Sequence, residues 1–340
     1  MGRPFSIGVP HVRHQCQMNA FYTRCVATVL SGVGLLAGPG LLQAAPAAVS
    51  TDAAVAAPLQ WTRLTTRQSS GVRAFVPARL NGQPFSLMLH SLASFYMQTT
   101  HANAARAEIA LEGEKRTFGI ESEGKVSALG RQYGHANEIS VGDDVARNKR
   151  VEIFEVLQNA ADGKLKDGML GSLWLHDRGA IIDYGRRQLA VPASAAAAQA
   201  FDAGLVKAGY SQHAMHWDDQ GKLYYVLASI NGVPAKMLVS TVAGDAVDAT
   251  LKDRYRLTLK VRPEQQAGPA GAVVPVFDVV GPTTLTVDGT HLRPAPLQAW
   301  DRNAYDSSHA ESRYDGVLAS GLMFKNDAVI DFKTGHIFFK

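Results

Sequence analysis

At 340 residues, 46% hydrophobic and 19% charged, the chain has the composition of a globular protein and not of a disordered one. Its formal charge of +4 comes from the N-terminus. Arg3, Arg13 and Arg24 lie in the first 45 residues, which hold no Asp or Glu, and the remainder carries 31 basic against 30 acidic residues. That near-neutral body offers no electrostatic basis for binding nucleic acid or an anionic membrane.

Residues 1–45 read as an export signal. A polar stretch carrying Arg24 precedes the apolar run Cys25–Leu42, and small residues follow from Ala44 to Ala48. Translation starting at Met18 would give a more ordinary n-region, MNAFYTR. An uncleaved anchor is the alternative, but Gly38-Pro39-Gly40 breaks the run near the lower length limit of a span. The expected location is therefore periplasmic or secreted, with no other membrane contact. Both cysteines, Cys16 and Cys25, fall in this leader, so the mature chain has no disulfide, thiolate metal site or cysteine nucleophile.

A flexible Ala/Thr/Val-rich lead-in follows over 46–59, and then the chain repeats itself. VRAFVPARL from Val72 reads as a strand running into Asn81-Gly82-Gln83-Pro84, and an apolar run follows from Phe85 to Leu89. KLYYVLASI from Lys222 runs likewise into Asn231-Gly232-Val233-Pro234, then Ala235 to Val239, at an offset of 150. Asn-Gly between two β-rich runs is a strong hairpin signal. EISVGD from Glu138 resembles TLTVDG from Thr284, at an offset of 146. Asp167-Gly168-Met169-Leu170-Gly171 matches Asp315-Gly316-Val317-Leu318-Ala319, and Ala180–Tyr184 matches Ala328–Phe332, both at 148. Short strands close each copy, Gln188–Val191 and His336–Phe339. Helical pattern is limited to Thr100–Leu111, Ala249–Tyr255 and the alanine-rich stretch Ala193–Tyr210, which a glycine ends.

Three matched blocks in one order, at nearly one offset, mean a duplicated domain. The organisation expected is lobe one at 60–192, a linker with a short helix at 193–212, and lobe two at 213–340. The class is mainly β, with small barrel-like lobes.

In its motifs and their order the sequence resembles the retropepsin-like aspartic proteases, in particular the bacterial periplasmic aspartyl-protease-like group. Lobe one matches through Asn81-Gly82, Leu87-Met88-Leu89, Ala93-Ser94, Asp167–Gly171 and Ile181–Tyr184. Lobe two matches through Asn231-Gly232, Met237-Leu238-Val239, Thr241, Asp315–Leu318 and Val329–Phe332. The resemblance implies two tandem retropepsin-like acid-protease β-barrel lobes in an intrachain pseudo-dimer, so that a monomer completes its own cleft. It also implies a catalytic Asp-Thr-Gly-Ala-Ser in each lobe. Here those positions read His90-Ser91-Leu92-Ala93-Ser94 and Ser240-Thr241-Val242-Ala243-Gly244. Both aspartates are gone, as His90 and Ser240, and both glycines, as Leu92 and Val242. The hydroxyls of Ser91 and Thr241 remain, and in the family these brace the two loops against each other.

Aspartic proteases activate water between two carboxylates that share a proton. Neither serine nor a neutral histidine restores that arrangement, so no catalytic residue is assigned. The resemblance places a binding cleft at Ser91, Leu92, Ala93, Ser94, Thr241, Val242 and Ala243, suited to an extended peptide or an envelope protein. The alternatives are an active aspartic endopeptidase, a Ser/His hydrolase built on Ser240 and His90, and a structural protein whose cleft Leu92 and Val242 fill. Asp245 and Asp248 read as a surface turn and a helix N-cap. Asp167, Asp183, Asp315 and Asp331 read as structural acceptors of backbone amides. The scattered histidines, with His213 and His216 the one close pair on a loop, read as surface residues; two ligands do not close a zinc site, and no metal is expected. No G-x-S-x-G elbow, P-loop or dinucleotide fingerprint occurs, and no cofactor is implied.

Overall fold

A computed structural model describes residues 58–68, 72–116, 130–155, 167–267, 273–301 and 313–340. The leader, both cysteines and the lead-in as far as residue 57 lie outside the described residues.

Each copy starts from the hairpin that its Asn-Gly specifies. Strands Val72–Leu80 and Gln83–His90 pair antiparallel, as do Leu223–Ile230 and Val233–Val239. Both turn residues adopt positive φ in both copies, 48° and 81° at Asn81-Gly82 and 50° and 77° at Asn231-Gly232. That geometry is what a two-residue turn needs to match strand twist. The asparagine side chains then clamp the rest of the lobe. Asn81 Nδ2 donates to the Ala107 carbonyl (2.8 Å), while its Oδ1 accepts from the Glu138 amide (3.0 Å). Asn231 does the same with Tyr255 and Thr284 (2.8 and 2.9 Å).

The glycine-rich strands complete each sheet. Met169–Gly171 runs parallel to Gln83–His90 and antiparallel to Met97–Thr99. Gly316–Leu318 occupies the matching place between Val233–Val239 and Ala246–Asp248. In lobe one Val72–Leu80 also pairs with Arg131–Val141, which folds the sheet round into a barrel.

A six-stranded sheet joins the lobes. Its centre is the antiparallel pairing of Ile181–Asp183 with Val329–Asp331, in which Ile181 faces Asp331, Ile182 faces Ile330 and Asp183 faces Val329. Since Ile182 and Ile330 are matching residues of the repeat, this register sets a local two-fold axis through that pair. The main core runs unbroken through both lobes, including Leu89, Trp174 and Ile182 from one and Val239, Met323 and Ile330 from the other. The fold class that the resemblance implies is thus the one observed: mainly β, two tandem retropepsin-like lobes forming an intrachain pseudo-dimer.

The helices depart from the sequence reading. The stretch Thr100–Leu111 is helical only over His101–Arg106, and Glu112–Arg116 is already a strand. Ala249–Tyr255 keeps a single 3-10 turn, Ala249–Leu251. Two helices that the sequence pattern does not announce, Ser172–Arg178 and Ser320–Lys325, follow the glycine-rich strands. The alanine-rich stretch does form a helix, Ala195–Lys207, capped by Ser194 and followed by Gly209 at φ 87°.

Candidate functional site

The strand–turn segments at residues 90–94 and 240–244 meet across the local two-fold. Ser91 N–H donates to Thr241 Oγ1 (3.0 Å), and Thr241 N–H donates to Ser91 Oγ (3.0 Å). Each hydroxyl in turn donates to the opposite strand, Ser91 Oγ to the Val239 carbonyl (2.7 Å) and Thr241 Oγ1 to the Leu89 carbonyl (2.6 Å). Ser91 and Thr241 are fully buried. Every donor and acceptor of this reciprocal set is therefore satisfied inside the protein, and removing either hydroxyl would orphan buried partners.

His90 and Ser240 each stand one residue before a bracing hydroxyl, at the floor formed where the two segments meet. Their chemistry is not that of a proton-sharing acid pair. Ser240 is fully buried, and its Oγ accepts from the amides of Val242 (3.3 Å) and Ala243 (3.0 Å), so the hydroxyl caps its own turn. His90 is half-buried, but its Nδ1 is sealed from solvent and has no hydrogen-bond partner. Burial, aided by the nearby positive charge of Arg73, holds its imidazole down to about 4. The ring is neutral above that pH, because charging it would leave an unpaired cation in a desolvated place.

Leu92 and Val242, one residue beyond the bracing hydroxyls, each reach into the opposite lobe. Val242, 7% exposed, seats in an apolar cluster of lobe one formed by Phe75, Met88 and Met169. Leu92 packs against the corresponding cluster of lobe two, which contains Leu238, Tyr314 and Val317, beside Tyr225. The two exchanges are related by the repeat: Phe75 matches Tyr225, Met88 matches Leu238 and Met169 matches Val317. Each lobe thus covers its neighbour's apolar seat. Of the remaining residues expected to line a cleft, Ala93 and Ala243 are half-buried and Ser94 is exposed. The seats are composed of residues 75, 88 and 169 and their copies; the shared offset marks them as equivalent in the sequence, but not as the destination of Val242 and Leu92.

Of the neighbouring carboxylates, Asp248 caps the 3-10 turn through Thr250 N–H (2.9 Å), as expected. Asp245 is a correction. It is not on a surface turn but 3% exposed, and it accepts the amides of Ala319 (2.6 Å) and Leu322 (2.9 Å) at the start of helix Ser320–Lys325. Burial pushes its carboxyl up to about 7 despite those amides. Both of its oxygens are engaged by the helix amides. The repeated aspartates do accept backbone amides: Asp167 from Ser86 (2.8 Å), Asp315 from Lys236 (2.7 Å), Asp183 from Arg186 (2.8 Å) and Asp331 from Lys333 (2.6 Å).

Two histidine readings also change. His213 is buried, its ring between Ser211 and Asp288 (3.0 and 3.3 Å), and it lies on strand Ser211–Ala214, with His216 opening strand His216–Asp218. Neither is on a loop: Ser211–Ala214 pairs with the distant strand His336–Phe339, and His216–Asp218 forms a hairpin with Leu223–Ile230. Exposed His176, a surface residue as expected, stacks on Trp217 at 4.0 Å and meets the Tyr224 hydroxyl at 2.7 Å, a contact between lobes. Among the described residues no cluster of three or more His, Cys, Asp or Glu is arranged to hold a metal. No described helix is long and apolar enough to cross a membrane.

No family model matches the chain, and no curated protein matches it. Solved structures do. An aspartic proteinase from Irpex lacteus is 8% identical over 82% of this chain and 96% of its own, with a TM-score of 0.45. Basic 7S globulin from soybean is 9% identical over 83% and 95%, at 0.44. A retropepsin-like aspartic protease from Rickettsia conorii is 18% identical over 39% and 92%, at 0.28.

Proposed function

We propose that the protein is an exported, aspartic-protease-like protein of the cell envelope that has lost hydrolysis and acts as a monomeric peptide- or protein-binding module. The observation that supports this is the floor between the lobes. The bonds that brace the two loops are complete, while the positions they present carry a neutral imidazole and a serine hydroxyl already bonded to its own turn. No pair of acids there can share a proton and activate water. A Ser/His hydrolase is disfavoured by the same bonds, since Ser240 Oγ is engaged by Val242 and Ala243 amides and His90 has no orienting acid at Nδ1. Incubation with a mixed peptide library from pH 3 to 8 is expected to give no cleavage, and a fluorophosphonate probe is expected to leave Ser240 unlabelled. Labelled Ser240 would instead establish the hydrolase.

A specific observation favours a second non-catalytic reading, in which the protein is structural and its cleft is closed. Leu92 and Val242 occupy the apolar seats flanking the floor, where a bound peptide would place side chains. Fluorescence polarisation with a labelled peptide library separates the two roles. Binding by the native chain supports the module. Binding only by the Leu92→Gly/Val242→Gly double variant supports the closed structural protein.

A further inference from the structure

Asp183 and Asp331 end the two central strands of the interlobe sheet, and both are fully buried. Each uses Oδ1 to accept amides of the turn that follows. They differ in what answers the second oxygen. Asp183 Oδ2 accepts from the Arg186 guanidinium at 2.9 Å. In lobe two the residue matching Arg186 is Thr334, which turns away and donates its hydroxyl to Asp202 Oδ2 at 2.7 Å. Asp202 is on helix Ala195–Lys207 and only 6% exposed. Its carboxyl stands against that of Asp331, the two being within mutual hydrogen-bonding range. Asp331 Oδ2 and Asp202 Oδ1 are both sealed from water, with no other hydrogen-bond partner.

We propose that Asp202 and Asp331 share a proton, and that this proton is a pH-sensitive latch fastening the helix Ala195–Lys207 to the interlobe sheet. Two carboxylates in contact cannot both ionise cheaply. One proton between them gives each orphaned oxygen a partner, whereas its loss leaves two like charges buried together. The other titratable groups nearby do not replace it. His336, on the strand paired with Val329–Asp331, places Nδ1 at 3.6 Å from Asp202 Oδ2, so only a protonated imidazole would offset the charge. Tyr224 faces Asp331 as a neutral phenol, raised first by burial and then by that carboxyl. Lys333 contributes its amide, while its side chain lies along Gly179. The helix otherwise rests on a small cluster, Ala198, Phe201 and Leu205 against Ile181, Val329 and Phe338, so one electrostatic contact weighs heavily in its docking.

The direction follows from linkage. Burial first, and then the partner carboxyl, raises Asp331; burial raises Asp202 as well. The docked state therefore binds a proton that a released, solvated pair gives up. Docking is strongest at acid pH and weakens as the pH climbs through the raised titration.

Hydrogen exchange of the helix amides in the full chain tests this, with rates corrected for the intrinsic effect of pH. Native protein is expected to lose about 10- to 100-fold of protection over the helix between pH 5.5 and 8.5, one to two decades per shared proton. Asp202→Asn is expected to flatten that dependence, while Asp245→Asn leaves it in place. Carboxyl carbon NMR of the native protein supplies an independent measurement should the variant fail to fold. One of the two carboxyls is expected to titrate more than about 2 pH units above an ordinary aspartate. Helix protection that does not change with pH, an unaltered profile in Asp202→Asn, or two carboxyls titrating in the ordinary range would each overturn the latch.

Discussion

In lobe one, the first amides of the helix after the glycine-rich strand are met by backbone carbonyls: Ser172 N–H donates to the Ala93 carbonyl (2.8 Å) and Leu173 N–H to Phe95 (3.3 Å). In lobe two, the same helix is anchored by the Asp245 carboxylate, at the position that matches Phe95. The close backbone approach in lobe one requires Gly171, since a Cβ there would stand 2.0 Å from the Phe95 carbonyl oxygen. A side chain reaching across from Asp245 leaves room, and lobe two carries Ala319. Elsewhere the contrast repeats. Asp183 is answered by Arg186 and Asp331 by Asp202. The floor has His90 from one lobe and Ser240 from the other. The fold tolerates different chemistry at matched positions as long as each buried donor and acceptor is met. The Ser91/Thr241 grip, like the Asn81/Asn231 clamps, is chemically near-identical in both copies.

The grip should therefore be the most costly place to break the symmetry. Thr241→Val removes the acceptor of Ser91 N–H and the donor to the Leu89 carbonyl, and is expected to cost roughly 3–5 kcal/mol in denaturant unfolding. Ser91→Ala, which removes the mirror pair, should cost a similar amount. A large loss from one and almost none from the other would show that the lobes do not share this load equally.

Next is the buried carboxyl peculiar to lobe two. Asp245 titrates at about 7 in the folded state, above its unfolded value. Its contribution is fully present below about pH 4 and is lost as the pH rises to 7, by up to roughly 3–4 kcal/mol. Asp245→Asn should remove that falling component from the stability–pH profile. It should also lower stability overall, because one carbonyl oxygen cannot serve both helix amides as well.

The two helix anchors can then be exchanged in part. Gly171→Ala forces a Cβ onto backbone oxygens and is expected to cost about 2–3 kcal/mol, whereas Ala319→Gly should cost under about 1 kcal/mol. Equal effects would mean that the anchors are not different in kind.

A further modest effect belongs to His90 in lobe one. The folded-state value of His90, about 4, lies below its unfolded value, so its contribution is present above pH 6.5 and lost as the pH falls toward 4. His90→Gln should relieve that acid destabilisation by about 2 kcal/mol, a figure reduced because part of the ring reaches solvent. This slope has the opposite sign to that of Asp245, so the two variants should tilt the profile in opposite directions.

What the sequence makes legible is what local chemistry decides. Asn81-Gly82 and Asn231-Gly232 specify their turns by φ preference alone, and the near-constant offset exposes the duplication. Ser91 and Thr241 are recognisable because both copies carry a hydroxyl at the same place, at the offset of 150. The helices Ser172–Arg178 and Ser320–Lys325 are not legible, since they are short, open on Gly171 and Ala319, and take their amide acceptors from residues some 75 positions away. Asp245 looks like a turn residue for the same reason: its partners lie at 319 and 322. The seating of Leu92 and Val242 in opposite lobes is likewise a tertiary fact. Nothing in residues 90–94 or 240–244 alone says which surface those side chains will cover.

The comparison of lobes rests on one claim, that Ser91 and Thr241 brace the two loops while His90 and Ser240 present no pair of acids there. Peptidase activity measured on a mixed peptide library from pH 3 to 8, with and without a statine-type inhibitor, tests it most directly. The predicted result is no cleavage above the uncatalysed background at any pH. Cleavage with an acidic optimum that the inhibitor abolishes would contradict it.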